Sequence, residues 1–410
     1  MTHLLHFLRE NARWVTGGFL LTFFSSFGQT FFISLSAGDI RTEYGLSHGD
    51  FGTIYMLATL ASAASLPQVG KIIDRISVSA TVLLAAPLLG FACLLMAWSR
   101  SLVLLVLAIY LLRLFGQGMF THIAMTAMGR WFAAQRGRAV SLTAIGVNLG
   151  EAVFPVSFVL AAAIFGWRGS WLMAGAFILV VALPVIYQLM KVERVPQSVV
   201  REPGSPVERD WTRGEVLRDP LFWAALLGVL APAFIGTTIF FHQVYLSEQR
   251  GWPPTVFAAS FAIMSVMTIL FALVAGQLVD RFSAIRLLPS FLVPLSLSCF
   301  VLASTEAPWG AYVFMALMGV SYGFSSTLFG ALWPELYGTK HLGGIRSLIV
   351  AFMVFGTAMG PGLTGTLIDL GISYPGQIAA MGLYCVVIIV VMLFVSRQAL
   401  RRRAAESVAA

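Results

Sequence analysis

Charge is what this sequence has least of. Asp, Glu, Lys and Arg together make up 11% of its 410 residues, against about 25% in water-soluble domains. That shortage excludes an ordinary soluble fold and leaves lipid as the solvent for most of the surface. Cysteine is scarce as well. Cys93, Cys299 and Cys385 each lie inside an apolar run, far from one another. No disulfide framework or metal spacing emerges from them, and they read as small buried hydrophobes. No Gly-x-x-x-x-Gly-Lys loop occurs, so ATP is not expected to drive the protein directly. No Ser/His/Asp cluster lies within the apolar runs either, so neither an enzyme activity nor a cofactor is expected. The net charge of +8 does not mark a nucleic-acid binder, because no basic stripe sits on a polar fold.

What is present is apolar length. Hydrophobic residues make up 58% of the chain. A membrane helix needs about 20 mainly apolar residues. Reading with that ruler gives twelve spans, at 14–38, 51–69, 78–98, 102–128, 138–164, 169–190, 220–246, 255–279, 284–303, 309–335, 343–369 and 375–396. The alternation of about ten-residue barrel strands is missing. The first apolar run, from Trp14 to Ala37, exceeds the roughly 7–15 residues of a signal peptide, so it is expected to stay as a span. Residues 191–219 hold Pro196, Pro203, Gly204 and Pro206 among many charges and read as a solvated linker. The expected organisation is a six-helix bundle over 1–190, a linker over 191–219, a second bundle over 220–396 and a tail over 397–410.

Basic residues flanking apolar spans set membrane orientation. With the N-terminus inside, the inside segments carry 21 of the 26 Lys and Arg residues. The outside loops carry only Arg41, Arg100, Arg168 and Arg250, and Arg113 lies within a span. Both termini are therefore expected in the cytoplasm, in a multi-pass protein of a cell membrane, here a bacterial inner membrane.

Sliding the chain against itself by 206 positions brings its halves together. Gly45 meets Gly251, Phe51 meets Phe257, Gly70 meets Gly276, Asp74 meets Asp280 and Arg75 meets Arg281. Further on, Gly137 meets Gly343, Ser141 meets Ser347, Gly150 meets Gly356 and Pro155 meets Pro361. Chance similarity between apolar helices would match Leu and Val rather than Gly, Asp, Arg and Pro. Parallel six-helix repeats build transporters that rock around a site between the halves.

At the loop after span 2 stands Gly70-Lys71-Ile72-Ile73-Asp74-Arg75, echoed by Gly276-Gln277-Leu278-Val279-Asp280-Arg281. Over nearly its whole length the chain thereby resembles the major facilitator superfamily. A finer resemblance is to the monocarboxylate and oxalate/formate-like branch. It rests on Phe241-His242-Gln243-Val244-Tyr245-Leu246 followed by Arg250-Gly251-Trp252, and on the run from Tyr322-Gly323-Phe324 through Tyr337-Gly338 to Gly360-Pro361. The chain departs from that branch's eukaryotic members in span 8, 255–279, which has no ionisable residue. Span 5 carries Gly146-x-x-x-Gly150-Glu151 where drug:proton antiporters of the superfamily carry a Gly-Pro-rich motif. The resemblance implies an all-α membrane fold of two pseudo-symmetric six-helix bundles, with spans 1, 4, 7 and 10 lining a cavity.

An ionisable group at mid-membrane costs about 2.5 kcal/mol or more and is functional by default. Arg113, about eleven residues into span 4, and Glu151, about thirteen into span 5, both fall near the midplane at roughly 1.5 Å per residue. A lone buried charge is worse than a pair, so the two are expected to meet. Either Arg113 binds an anionic substrate group or governs protonation of Glu151, or the two form a permanent ion pair locking spans 4 and 5. Asn148, Gln117, Gln29, Tyr322 and His242 are candidates for the same site, each with helix packing as the alternative. His122 lies on the far side of span 4 from Arg113. Asp74, Arg75, Asp280 and Arg281, with Gly70 and Gly276, read as a conformational latch at the cytoplasmic ends, where Asp can face a helix N-terminus. Arg138 and Arg346 are its candidate partners, and a plain topology signal is the alternative.

The expected function is secondary transport of a small organic anion, a carboxylate, by alternating access, with proton coupling or exchange. Proton-driven efflux of amphiphilic drugs or metabolites is the alternative. The expected partners are a small-molecule substrate, protons and the lipid bilayer. No nucleic acid, metal or cofactor is expected, and the chain is expected to be a monomer.

Overall fold

The computed structural model of the protein describes residues 2–132, 136–194, 211–338 and 341–409. Among the described residues every regular element is helical, the form in which a segment satisfies its own backbone hydrogen bonds in hydrocarbon. The first span, α1, is a bent pair, Arg9–Gly28 and Thr30–Tyr44, with 45° between its parts. Then come α2 (His48–Ile73), α3 (Val78–Trp98) and α4 (Leu102–Trp131). The next apolar helix, Arg138–Met190, has 53 residues. That is roughly 80 Å at 1.5 Å per residue, against about 30 Å of hydrocarbon. It is broken at Gly166, where φ is 70° and ψ is 169°, and so forms two spans, α5 (138–165) and α6 (167–190). The second half holds α7 (Pro220–Phe241), α8 (Pro254–Phe282), α9 (Ala284–Ser304), α10 (Trp309–Tyr337), α11 (Gly344–Asp369) and α12 (Tyr374–Ala404). With the break at Gly166 counted as a turn between two spans, the described residues hold the expected twelve.

The chain divides into two compact units, Met1–Pro203 and Gly204–Ala410. The internal repeat is visible in their backbones. Gly45 and Gly251, one repeat apart, both turn the chain at φ 63°, a left-handed conformation that favours glycine. The first residues of α3 and α9, Val78 and Ala284, are also one repeat apart, and each gives its amide to a carboxylate. Val78 N donates to Glu193 Oε1 at 3.0 Å and Ala284 N to Glu335 Oε1 at 3.0 Å. An anion there complements the helix dipole and takes up an amide that has no partner within the helix.

Local signals start the helices where the hydrophobic runs begin. Ser47 and Asp50 form a reciprocal capping box before α2. Ser77 and Ser101 cap α3 and α4. Asp219 caps α7, with Pro220 as its first residue, where a missing N–H costs nothing.

Four boundaries differ from expectation. The first span is not one helix, because Ser25–Gly28 tightens into a 3₁₀ turn and Gln29 is extended. The seventh stops at Phe241, and His242 stands at the kink before a short helix, Gln243–Gln249. The end of the predicted linker is folded into the second unit. Thr212 and Glu215 form a capping box for the helix Arg213–Arg218, and Trp211 N donates to Tyr337 O at 3.0 Å. Residues 195–210 of that linker lie outside the described ones. The predicted tail continues the last helix to Ala409, which brings Arg402 onto Asp219.

That contact is an anchor built from three distant parts of the chain. Arg402 Nη1 lies 2.8 Å from Asp219 Oδ2, and Tyr337 donates its hydroxyl to the same oxygen at 3.0 Å. The guanidinium sits 4.6 Å from the Trp211 ring centroid, so its face is covered as well as its edge. Asp219 is 7% exposed. Removing one partner leaves the other charge buried and short of hydrogen bonds. Arg402→Ala is expected to destabilise the second unit by about 2 kcal/mol or more, read as a lower unfolding temperature in detergent. The neighbouring exposed Arg401→Ala is expected to change it by less than about 0.5 kcal/mol.

Candidate functional site

Arg113 lies in the first unit, on a π-helical stretch of α4 that runs from Leu112 to Phe120, the kind of bulge that often marks a functional position. It is 3% exposed. Its Nη1 donates to Gly28 O at 3.2 Å and to Thr30 Oγ1 at 3.4 Å. Thr30 Oγ1 in turn lies 2.7 Å from the Tyr55 hydroxyl, and the guanidinium stands 5.4 Å from the Tyr55 ring centroid. The break in α1 explains the geometry. A carbonyl released where a helix stops has no amide of its own in lipid, and Gly28 O finds a cation instead. Thr30 and Tyr55 were not singled out from the sequence. The signal that marks this place is the Ser25-Ser26-Phe27-Gly28 run, since Gly/Ser clusters are a common seat of sharp helix kinks.

Close packing of backbones makes the contact possible. A β-carbon on Gly116 would stand 2.7 Å from Gly28 Cα, closer than real side chains come, so α1 and α4 cross backbone to backbone. On another side, α1 lies against α5. A β-carbon on Gly150 would stand 2.9 Å from Phe23 O, and Thr22 Oγ1 donates to Thr143 O at 2.6 Å. Small residues at helix crossings are the usual means of association where lipid removes the hydrophobic drive.

The expected Arg113–Glu151 ion pair is not formed. The broken segment of α1 packs on α4 at Gly28 and on α5 at Ser26, and it claims the Arg113 guanidinium for its own carbonyl. Glu151 is half-buried. Its carboxylate makes no hydrogen bond or ion pair with the described residues, and the side-chain amides of Gln29, Gln117 and Asn148, also half-buried, make none either. The sequence reading put Gln117 on the face of Arg113, but the π-helical turn leaves Arg113 buried and Gln117 partly open. Phe154, three residues after Glu151, packs its ring 4.6 Å from Phe23 and 4.5 Å from Phe27.

His122 has a place of its own, with Nε2 3.3 Å from Gly70 O at the signature loop. Gly70 opens a 3₁₀ turn that runs to Asp74, and Arg130 Nη1 donates to Ile73 O at 2.9 Å. The side chain of Asp74 lies outside the described atoms, and Arg75 is exposed. Arg138 stands over the Phe7 ring at 5.5 Å. In the second unit a β-carbon on Gly276 would meet Thr327 Cγ2 at 4.0 Å, and Asp280 is exposed. Arg281 lies 5.2 Å over the Phe282 ring. No ion pair joins Asp280 to Arg346, because Arg346 Nη2 donates to Gly330 O at 2.8 Å.

His242 and Tyr322 belong to the second unit and both bond to the backbone of α7. His242 is buried, and its Nδ1 lies 3.1 Å from Thr238 O. A carbonyl only accepts, so Nδ1 carries the proton. The Tyr322 hydroxyl donates to Pro232 O at 3.2 Å. Among the described residues no group of three or more His, Cys, Asp or Glu side chains could hold a metal.

Twelve apolar helices in two repeated units, with a lone cation and a lone carboxylate at depth in one of them, define a polytopic membrane transport protein. The chain belongs to the major facilitator superfamily, whose family profile matches residues 18–361 and 243–409. Its relatives include members of the monocarboxylate and oxalate/formate-like branch. It is 22% identical to the oxalate:formate antiporter of Oxalobacter formigenes over 75% of this chain and 73% of that one. It is 26% identical to monocarboxylate transporter 11 of Mus musculus over 84% and 78% respectively. Among solved structures it matches a bacterial homolog of the human lysosomal transporter Spinster with a TM-score of 0.76 and 16% identity, over 95% of this chain and 98% of that one, which is a likeness of fold.

The crossing of α1 and α4 is testable by size alone. Gly116→Leu is expected to cost about 1–3 kcal/mol through overpacking and to separate the Arg113 guanidinium from Gly28 O. Gly330→Ala, on an open face of α10 with nothing within 4 Å, is expected to leave stability unchanged or slightly raised. Thermal unfolding of the two purified variants in one detergent compares them directly.

Proposed function

We propose that the chain moves a small organic anion, a carboxylate, by alternating access, in proton symport or in exchange. The observation that carries this reading is Arg113, a buried cation with no acidic partner among the described residues. A protein does not keep an uncompensated charge in hydrocarbon without a use for it, and a carboxylate cargo supplies the missing charge. The Arg113 Nε has no hydrogen-bond partner, so the guanidinium retains a donor for an incoming oxygen, and its planar fork suits a carboxylate. The names of two relatives, an oxalate:formate antiporter and a monocarboxylate transporter, point to the same cargo class.

Glu151 is the proton carrier in this reading, because no cation holds it ionised. Gln29, Gln117 and Asn148 offer polar contacts along the cargo path, and His242 and Tyr322 hold α7 in shape. Gly70, Asp74 and Arg75 with Arg138, and Gly276, Asp280 and Arg281 with Arg346, act as the latch in another conformation of the cycle. The excess of Lys and Arg in alternate loops supports cytoplasmic termini, and in this reading the protein works as a monomer at the inner membrane of a bacterium. Proton-driven efflux of an amphiphile is a second reading, favoured by the rings of Phe23, Phe27 and Phe154 beside Glu151.

Reconstitution into proteoliposomes tests these roles. Arg113→Ala is expected to lower uptake of a labelled carboxylate about tenfold or more, the worth of one charge-assisted hydrogen bond, and Arg113→Lys to fall between. Uptake unchanged in Arg113→Ala sinks the anion-binding role. Glu151→Gln is expected to abolish stimulation by an inward proton gradient and the pH dependence of uptake, while substrate–substrate exchange persists. Transport of amphiphilic dyes with no transport of any carboxylate favours the second reading.

A further inference from the structure

The second unit contains a slot that the transport reading does not use. Both α11 and α12 pack along α7 but scarcely touch each other, and the gap between them is a cavity of about 560 Å³. Its floor is α7, at Leu230, Phe234 and Ile235, and its walls include Leu363, Met381 and Tyr384. Leu363, Ile372 and Tyr384 are exposed at its mouth, as side chains facing lipid would be. Along α11 the slot runs from Gly356 to Leu367, roughly 16 Å at 1.5 Å per residue. One leaflet of hydrocarbon is about 15 Å, half of the roughly 30 Å core. The slot is therefore as tall as one leaflet, and it ends at the turn between α11 and α12.

At that end stands Gln377, in the first turn of α12 and part of the slot's wall. It is 7% exposed. Its Nε2 donates to Ile372 O at 3.1 Å, which fixes the orientation of the amide. Its Oε1 has no hydrogen-bond partner. An unmet acceptor in an apolar wall costs about 1–3 kcal/mol, and neither hydroxyl of the slot, on Thr364 or Tyr384, donates to it. A ligand that fits must be a long apolar chain carrying a hydrogen-bond donor where the chain meets the membrane surface.

We propose that this slot binds one acyl chain of a phospholipid whose headgroup donates a hydrogen bond to Gln377. Phosphatidylethanolamine, with its ammonium, and phosphatidylglycerol, with its hydroxyls, have that donor. Phosphatidylcholine has the same chains and no headgroup donor. The site is independent of the cargo and of Arg113.

Lipid retention measures it. The protein is reconstituted in nanodiscs of equal parts phosphatidylethanolamine and phosphatidylcholine with matched chains, then extracted into detergent, and retained lipids are counted by native mass spectrometry. Retention is expected to favour phosphatidylethanolamine by about 2- to 10-fold, the worth of one hydrogen bond. Gln377→Leu, of similar volume without the acceptor, is expected to remove that preference. In the unaltered protein, a photoactivatable acyl chain on phosphatidylethanolamine is expected to label peptides covering 356–367 and 376–384. Equal retention of the two lipids, a preference unchanged in Gln377→Leu, or labelling absent from those peptides overturns the proposal, as does displacement of the lipid by detergent alone during extraction.

Discussion

A broken helix in hydrocarbon needs a partner for each backbone group it frees, and in this protein the break in α1 takes a cation. Gly28 O accepts from Arg113, and most of the first unit's central architecture follows from that bond. The carbonyl is available only because Ser25–Gly28 leaves the α-helical ladder. The guanidinium reaches it only because α4 widens to a π-helix there and because glycines at positions 28 and 116 let the two backbones touch. A methyl group at either glycine would push the helices apart and leave both charge and carbonyl unmet. Backbone break, helix bulge and glycine crossing are therefore one device.

The second unit solves the corresponding problem without charge. Shifted by one repeat, Arg113 falls on Gly319 and Glu151 on Thr357. There α10 still donates to a carbonyl of α7, through the Tyr322 hydroxyl to Pro232 O. Gly319 instead admits α8, since a β-carbon on it would meet Met267 Cβ at 2.9 Å. Each unit thus has a bond from its fourth helix to its first, and only the first unit makes it with an ion. A neutral hydroxyl stabilises a carbonyl as well as structure requires. The extra desolvation cost of a guanidinium in one unit alone therefore argues for a role beyond holding helices together.

Much of this was legible in the sequence because lipid imposes coarse rules. Span length and loop charge mark the twelve helices, and the 206-residue repeat marks the units through Gly, Asp, Arg and Pro rather than through common apolar residues. Arg113 stood out because nothing else in 102–128 is charged. Its partner was not legible. Pairing by charge pointed to Glu151, while the structure pairs it with a backbone carbonyl that carries no mark in the sequence. The α1 break left only a faint mark: no proline signals it, and the serines and glycine of the Ser25–Gly28 run are common in membrane helices. The Asp219–Arg402 anchor joins residues 183 apart, and both were assigned to a linker and a tail because polar composition was taken to mean solvent.

Ion pairing and lone charge are thus distributed by depth. Arg402 meets Asp219 at the end of the second unit, beyond the apolar runs, where the guanidinium keeps some solvent contact while Asp219 is buried, and the pair binds helix ends that would otherwise fray. Arg113 and Glu151 sit at the depth where pairing would be most rewarded, yet the chain keeps them apart with a segment of α1. If they met, each would neutralise the other, and the proposed anion and proton roles would lose their groups. Kept apart, a cation and a carboxylate remain on two sides of one broken helix, and any shift of that helix changes the environment of both at once.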